Sequence, residues 1–182
     1  MKLIFASDIH GDLESMESVK EIFETERADK LIFSGDLLYH GPRNDLPKSY
    51  NPKEVIKILN SLSNNIISVR GNCDTEVDQM VLDFPILADF SVIFDGNLRI
   101  YVTHGHIYNI ENPLKLQKGD VMVCGHTHVP GIWEKDGFLF LNPGSVSLPK
   151  ENNSKTYMIY EDKTFSIKDF DGNIFKSITV YN

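Results

Sequence analysis

At 182 residues, 41% of them hydrophobic and 24% charged, the chain is long enough to fold as a single domain (1–182) around one core and too apolar for disorder. Its net charge of −8, with no long run of lysine or arginine, excludes a broad basic surface for extended nucleic acid or anionic lipid; bound cations would still let it take a phosphate. Only residues 3–6 form an apolar stretch after Lys2, too short for a signal-peptide core, and no stretch reaches membrane-spanning length. With Cys73 and Cys124 outside any Cys-x-x-Cys spacing, a cytoplasmic protein without membrane contact is expected.

The first half alternates strand and helix. Residues 2–7 read as a buried strand, and Leu13, Met16, Val19, Ile22 and Phe23 trace the apolar stripe of a helix. Residues 30–34 form a second strand, followed by a loop over 40–50 of a length that often carries function. Asn51-Pro52-Lys53-Glu54 is a helix start, with Asn as cap, Pro at the first helical position and Glu two residues on; that helix runs to about Ser63. Residues 66–69 give the third strand, and a short helix follows Asp74 and ends near Pro85.

In the second half, Asp95-Gly96, Asp136-Gly137 and Asp171-Gly172 mark hairpin turns. Strands are expected at 86–94, 98–103, 121–124, 138–141, 156–160, 165–169 and 175–180. The pattern predicts an α/β fold: a four-layer α/β/β/α sandwich of two packed sheets flanked by helices. One sheet is mixed and opened by β-α-β units; the other is largely antiparallel and built from the later hairpins.

All six histidines fall in short clusters. His10 ends Asp8-Ile9-His10, and His40 follows Gly35-Asp36. His104 and His106 lie in Thr103-His104-Gly105-His106, and His126 and His128 in Gly125-His126-Thr127-His128; Gly71-Asn72-Cys73-Asp74 stands between. Imidazole with carboxylate is what divalent transition metals bind. Asp8, Asp36, Asn72, His104 and His126 each follow the carboxyl end of an expected strand, the first three spaced 28 and 36 residues apart, about one β-α-β unit each. Parallel strands point their carboxyl ends the same way, so these side chains gather on one rim. Singly, each motif has a bland explanation: Gly-Asp fits a turn, and Asp8-x-His10 fits a loop that caps a helix.

The ordered series Asp-x-His, Gly-Asp, Gly-Asn-x-Asp, Thr-His-Gly-His and Gly-His-x-His resembles the calcineurin-like metallophosphoesterase superfamily, and within it the small bacterial YfcE-like phosphodiesterase branch. His40-Gly41-Pro42-Arg43-Asn44 and Asn142-Pro143-Gly144-Ser145-Val146-Ser147 extend the resemblance, which runs from Lys2 to Pro149. It implies a metal-dependent hydrolase that cleaves a small phosphodiester by attack of a hydroxide held between two divalent ions. Carried over by position, Asp8, His10, Asp36 and His128 hold one ion, and Asp36, Asn72, His104 and His126 the other, with Asp36 bridging. The resemblance favours Mn²⁺; the same mixture of oxygen and imidazole donors suits Zn²⁺, Fe²⁺, Co²⁺ or Ni²⁺. Homo-oligomers are common in this branch, so self-association is expected.

One departure bears on mechanism. Many members of the superfamily carry histidine at the position of Cys73, and a thiol is a poorer hydrogen-bond donor than imidazolium. Assistance to the leaving group is therefore in doubt, and substrates with good leaving groups are expected to react best; a small packed residue is the other explanation of Cys73. Asp36, Cys73 and His106 are the candidate catalytic residues, His106 either supporting a ligand from behind or contacting phosphate. His40 and Arg43 are the candidate substrate contacts. Arg70 and Asp74 read as an ion pair orienting the Asn72 loop, and Asn142 and Ser145 as neighbours of the site or a simple turn. Cys124 reads as a buried, inert thiol, and Trp133, Phe138 and Phe140 as core or subunit contact rather than a base-stacking platform. The same core would also serve a phosphomonoesterase or dinucleoside-polyphosphate hydrolase. A non-catalytic scaffold, of the kind formed by the small retromer subunit, would not need the complete ligand set this sequence retains.

Overall fold

The computed structural model describes residues 1–181, which form two sheets packed face to face with helices against the outer face of the first. β1 (Lys2–Ala6), β2 (Lys30–Phe33) and β3 (Ile66–Ser68) are parallel neighbours, joined through α1 (Leu13–Thr25) and α2 (Pro52–Ser61). The Asn51 side chain accepts from the Glu54 backbone N–H and Pro52 opens α2, as the sequence predicts. β1 is buried on both faces, which is why its sequence is nearly all apolar. Ile4 and Ala6 pack against Met16, Val19, Val55 and Leu59 of the helices, whereas Leu3 and Phe5 join Val102, Val123 and Leu141 between the sheets.

The remaining elements are α3 (Glu76–Gln79), β4 (Phe90–Asp95), β5 (Leu98–Thr103), β6 (Val121–Cys124), β7 (Gly131–Lys135), β8 (Phe138–Asn142), β9 (Thr156–Glu161), β10 (Thr164–Asp169) and β11 (Ile174–Thr179). The sheets run β11-β10-β9-β1-β2-β3 and β4-β5-β6-β8-β7. The last three strands thus belong to the first sheet and not, as predicted, to the second. The crossovers place β2 and β3 along one edge of β1, leaving its other edge with unpaired backbone groups inside a buried layer. β9, buried in all but its last residue, pairs antiparallel with that edge.

The second sheet is mixed rather than largely antiparallel. β5, β6 and β8 run parallel, and β4 and β7 fold back antiparallel onto its edges. β7 went unpredicted because Gly131-Ile132-Trp133-Glu134-Lys135 is mostly half-exposed and lacks apolar alternation. Among the described residues no helix lies beyond residue 79, so the predicted fourth, helical layer is absent. The connection between β5 and β6 takes its place: Tyr108 packs against Phe90, and the Ile110 carbonyl accepts from Lys135 Nζ.

Both sheets therefore contain a parallel core, and this positions the site. Asp8, Asp36 and Asn72 emerge from the carboxyl ends of β1, β2 and β3; His104, His126 and Asn142 emerge from β5, β6 and β8. Hydrogen bonds bind the emerging loops together: Asp8 N donates to Gly35 O at 3.1 Å, Gly125 N to His104 O at 2.8 Å, and Val146 N to Ser7 O at 3.1 Å.

Candidate metal centre

The loops turn abruptly as they leave the strands. Asp8, His10, Asp36, His126 and His128, five of the seven predicted metal ligands, have φ between 51° and 69°, the left-handed region that L-residues adopt at a cost of about 1 kcal/mol or more each. Glycines make room for this crowding. A Cβ on Gly71 would collide with the Asp36 carboxylate, and one on Gly125 with the Ser7 hydroxyl.

Side chains behind the rim hold these turns. The Asp74 carboxylate accepts from the backbone N–H groups of Asp36 (2.8 Å), Leu37 (2.9 Å) and Gly71 (2.8 Å), clamping two strand-end loops at once. Burial, with the nearby Asp36 charge, raises the Asp74 carboxyl to about 6. The expected Arg70–Asp74 ion pair is not formed: Arg70 Nε donates to the Asp74 backbone oxygen at 3.3 Å, and its guanidinium points toward Glu76. Ser145 and Ser147 both donate to Asp8 O, at 3.0 and 2.7 Å. Asn142 Nδ2 donates to Gly125 O at 2.8 Å and to Thr127 Oγ1 at 3.0 Å. Asn142 and Ser145 thus brace the site from behind.

The predicted ligands converge in two overlapping groups. Asp8 Oδ1 lies 3.3 Å from His128 Nε2 and 3.7 Å from His10 Nε2. His104 Nε2 lies 3.4 Å from Asp36 Oδ2, 3.1 Å from Asn72 Oδ1 and 3.1 Å from His126 Nδ1. Outside the cluster, Nδ1 of His10, His104 and His128 donates to the carbonyls of Tyr39 (2.8 Å), Ser34 (2.7 Å) and Leu148 (2.5 Å). Those bonds orient the rings and turn each Nε2 inward.

These donors fit divalent cations. The buried Asp8 Oδ1 has no hydrogen-bond partner, and His10 Nε2 faces His128 Nε2 at 3.3 Å, two lone pairs that only a shared proton or a metal would reconcile. Burial lowers His10 and, with the His104 charge, takes His126 down to about 4, keeping both neutral. Burial would lower His104 too, but its hydrogen bond to Asp36 and the Asp8 charge raise it to about 9. Burial alone would likewise raise Asp8 and Asp36; the closeness of His128 to Asp8 and of His104 to Asp36 holds both carboxyls below their ordinary value.

Other predicted site residues fall in different places. Cys73 N donates to Asp36 Oδ1 at 2.8 Å, and burial and the Asp36 charge push its thiol well up, so it is neutral at physiological pH. Arg43 lines a cavity of about 390 Å³ over the centre, with Asp36, Asn72, His126 and His128. His40 does not line it: its ring stands between Tyr39 and Tyr50, at centroid distances of 4.8 and 5.3 Å. His106 sits behind His104, at 5.2 Å between ring centroids, and burial lowers its pKa. Lys150 also lines the cavity and escaped prediction, as did the part played by Asp74. Lys150 N donates to His128 O at 3.3 Å, a contact that no local motif announces.

The rim and its donor set define a metallophosphoesterase-type site, and residues 1–164 match the calcineurin-like phosphoesterase superfamily domain, so the chain belongs to that superfamily. It is 46% identical over 92% of its length, and 91% of the relative's, to Phosphodiesterase YfcE of Escherichia coli K12. The solved structure of that Escherichia coli phosphoesterase superposes with a TM-score of 0.97 at 43% identity, each chain covered in full. Phosphodiesterase MJ0936 of Methanocaldococcus jannaschii is 30% identical over 79% of this chain and 83% of its own.

Proposed function

We propose that the chain is a metal-dependent phosphodiesterase hydrolysing a small phosphodiester at a dinuclear centre. Asp8, His10, Asp36 and His128 would hold one ion, and Asp36, Asn72, His104 and His126 the other. One observation carries this reading: Asp36 Oδ2 lies 3.8 Å from His10 Nε2 and 3.4 Å from His104 Nε2, so one carboxylate oxygen faces both donor groups. When bound, the ions supply an activated water and neutralise phosphoryl charge. Mn²⁺ is favoured on family resemblance, and the same donors suit Zn²⁺, Fe²⁺, Co²⁺ or Ni²⁺.

The chain's own residues do the rest. Arg43 and Lys150 bring positive charge to the cavity where phosphate oxygens need it. Cys73 lines the neighbouring groove and not the cavity over the centre, and its neutral thiol would be a weak proton donor, so esters whose alcohol departs easily are the better substrates. Two relatives named as phosphodiesterases support a diester over a monoester. No helix among the described residues is long and apolar enough to cross a membrane, and two free thiols suit a reducing cytoplasm.

Metal analysis and hydrolysis of bis-p-nitrophenyl phosphate, for wild type and Asp36→Asn, test this. Weakening a ligand shared by both ions should lower the rate on the order of 10³-fold, about 4 kcal/mol of transition-state stabilisation. Metal content should fall with it. A wild-type protein that takes up no transition metal and cleaves no diester would instead be a scaffold; faster turnover of p-nitrophenyl phosphate would make it a monoesterase.

A further inference from the structure

A second cavity, of about 480 Å³, opens beside the metal-centre cavity. Residues 125–129 form the wall between them. His126 and His128 line the first, Gly125 and Val129 line the second, and exposed Thr127 stands on the ridge and borders both. The Asn142 amide pins this ridge through Gly125 O and Thr127 Oγ1. The two openings approach again at consecutive residues, Lys150 on the first rim and Glu151 on the second.

The second cavity has a different chemistry. Phe140 and Leu141 form buried walls, and Ile110 and Val129 add apolar surface. Trp133 is 41% exposed and stands opposite Phe140 in the β7–β8 pairing. Its indole folds over Gly131, where a Cβ would collide with the ring, so the glycine leaves room for the indole. No lysine, arginine or histidine lines this cavity. Its charged residues are Glu111, paired with Lys135 at 2.7 Å, and Glu151. A second phosphate would meet two carboxylates, and the nearby Lys135 is already engaged by Glu111, whereas a flat neutral ring would meet indole, phenyl and aliphatic surface in a volume suited to it.

We propose that this cavity binds one ester arm of the substrate, a neutral aromatic group, while the phosphate sits across Thr127 at the metal centre. The inference rests on the phosphodiesterase reading and narrows it to diesters with an uncharged aryl arm, against dinucleoside polyphosphates.

Trp133 is the sole tryptophan of the chain, so its emission reports on the cavity. Metal-loaded protein is titrated with diphenyl phosphate and, separately, with dimethyl phosphate. A saturable change in emission is expected with the diphenyl ester alone, and is lost in Ile110→Asp. In parallel, kcat/KM for bis-p-nitrophenyl phosphate over that for methyl p-nitrophenyl phosphate should fall by about 10–100-fold in Ile110→Asp. Val129→Phe, which fills the cavity without adding charge, should lower the same ratio if the aspartate variant fails to fold. Val81→Asp, in the separate apolar groove beside Cys73, should leave it unchanged.

Silent Trp133 emission, or an unchanged ratio in the cavity variants while both esters are hydrolysed, overturns the proposal and leaves the phosphodiesterase reading standing. Hydrolysis of neither ester sinks both. Emission that follows protein concentration instead of ligand, with a doubled mass by light scattering, overturns it in favour of a second copy of the chain filling the cavity.

Discussion

Between the two sheets, Leu3, Phe5, Ile32, Val102, Val123 and Leu141 pack in an almost wholly apolar layer, whose one hydroxyl, that of Tyr160, donates to Asp95. A few residues further along the same strands, the rim buries Asp8, Asp36, Asp74, His10 and His104 in turns that are partly left-handed and held by hydrogen bonds. The interlayer region gains stability from every atom it buries. The rim gives some of it up, because buried carboxylates and left-handed residues are costly. Function has been placed where the fold is locally least favourable, on a base that is locally most favourable. Substitutions in the two regions should therefore separate stability from metal binding.

The largest stability effect should come from the interlayer core. Phe5→Ala is expected to destabilise by about 3–5 kcal/mol, since its fully buried ring would leave a cavity between two rigid sheets. Urea denaturation measures this, and the folded fraction should still bind metal with wild-type affinity. A large loss of metal affinity at full folding would break the separation between core and rim.

The next effect belongs to the brace behind the rim. Asp74→Asn keeps the shape but swaps one accepting oxygen for a donor amide facing backbone N–H groups. It should weaken metal affinity about 10–100-fold, as loss of a group supporting metal ligands generally does. Metal-binding titration tests it; a loss of thermal stability with unchanged affinity would make Asp74 a purely structural clamp.

The smallest effect lies far from both regions. Lys2 and Lys168 hold Glu26 at 2.5 and 3.2 Å, joining α1 to β1 and β10, and the Lys2 hydrogen bond, though opposed by burial, lowers its carboxyl below the ordinary 4.5. A depressed carboxyl contributes stability that is present above its unfolded value and lost as pH falls through the folded one. Between about pH 6 and pH 3, wild type should therefore lose a few tenths of a kcal/mol more than Glu26→Gln, a surface ion pair being worth little. Urea midpoints across that range report it; parallel curves for the two proteins would remove any stabilising role.

Much of this arrangement is legible in the sequence. The apolar run of β1, the cap of α2 and the hairpin glycines are local signals, and each led to an element close to its observed bounds, β7 before Asp136-Gly137 excepted. The gathering of the candidate donors was legible for a different reason: residue types able to bind metal are few, and here their motifs sit where strands end. What escaped were long-range partnerships. Nothing near β9 says that it closes the free edge of β1, and nothing near Lys150 says that it reaches the His128 loop. The three N–H groups that meet Asp74 come from two loops over thirty residues apart, and only the parallel packing of β2 beside β3 creates that meeting.

The sequence by itself therefore determined most of the strands, the two long helices and the candidate metal donors, because propensity, capping and donor chemistry reside in single side chains and short spacings. The tertiary structure alone decided that the second sheet also has a parallel core. That orientation carries His104, His126 and Asn142 to the same end as Asp8, Asp36 and Asn72. It also set Trp133 beside that end and His40 away from it. Strand direction and sheet membership depend on which backbone edges remain unpaired once the rest of the chain has packed, and no residue carries that information alone.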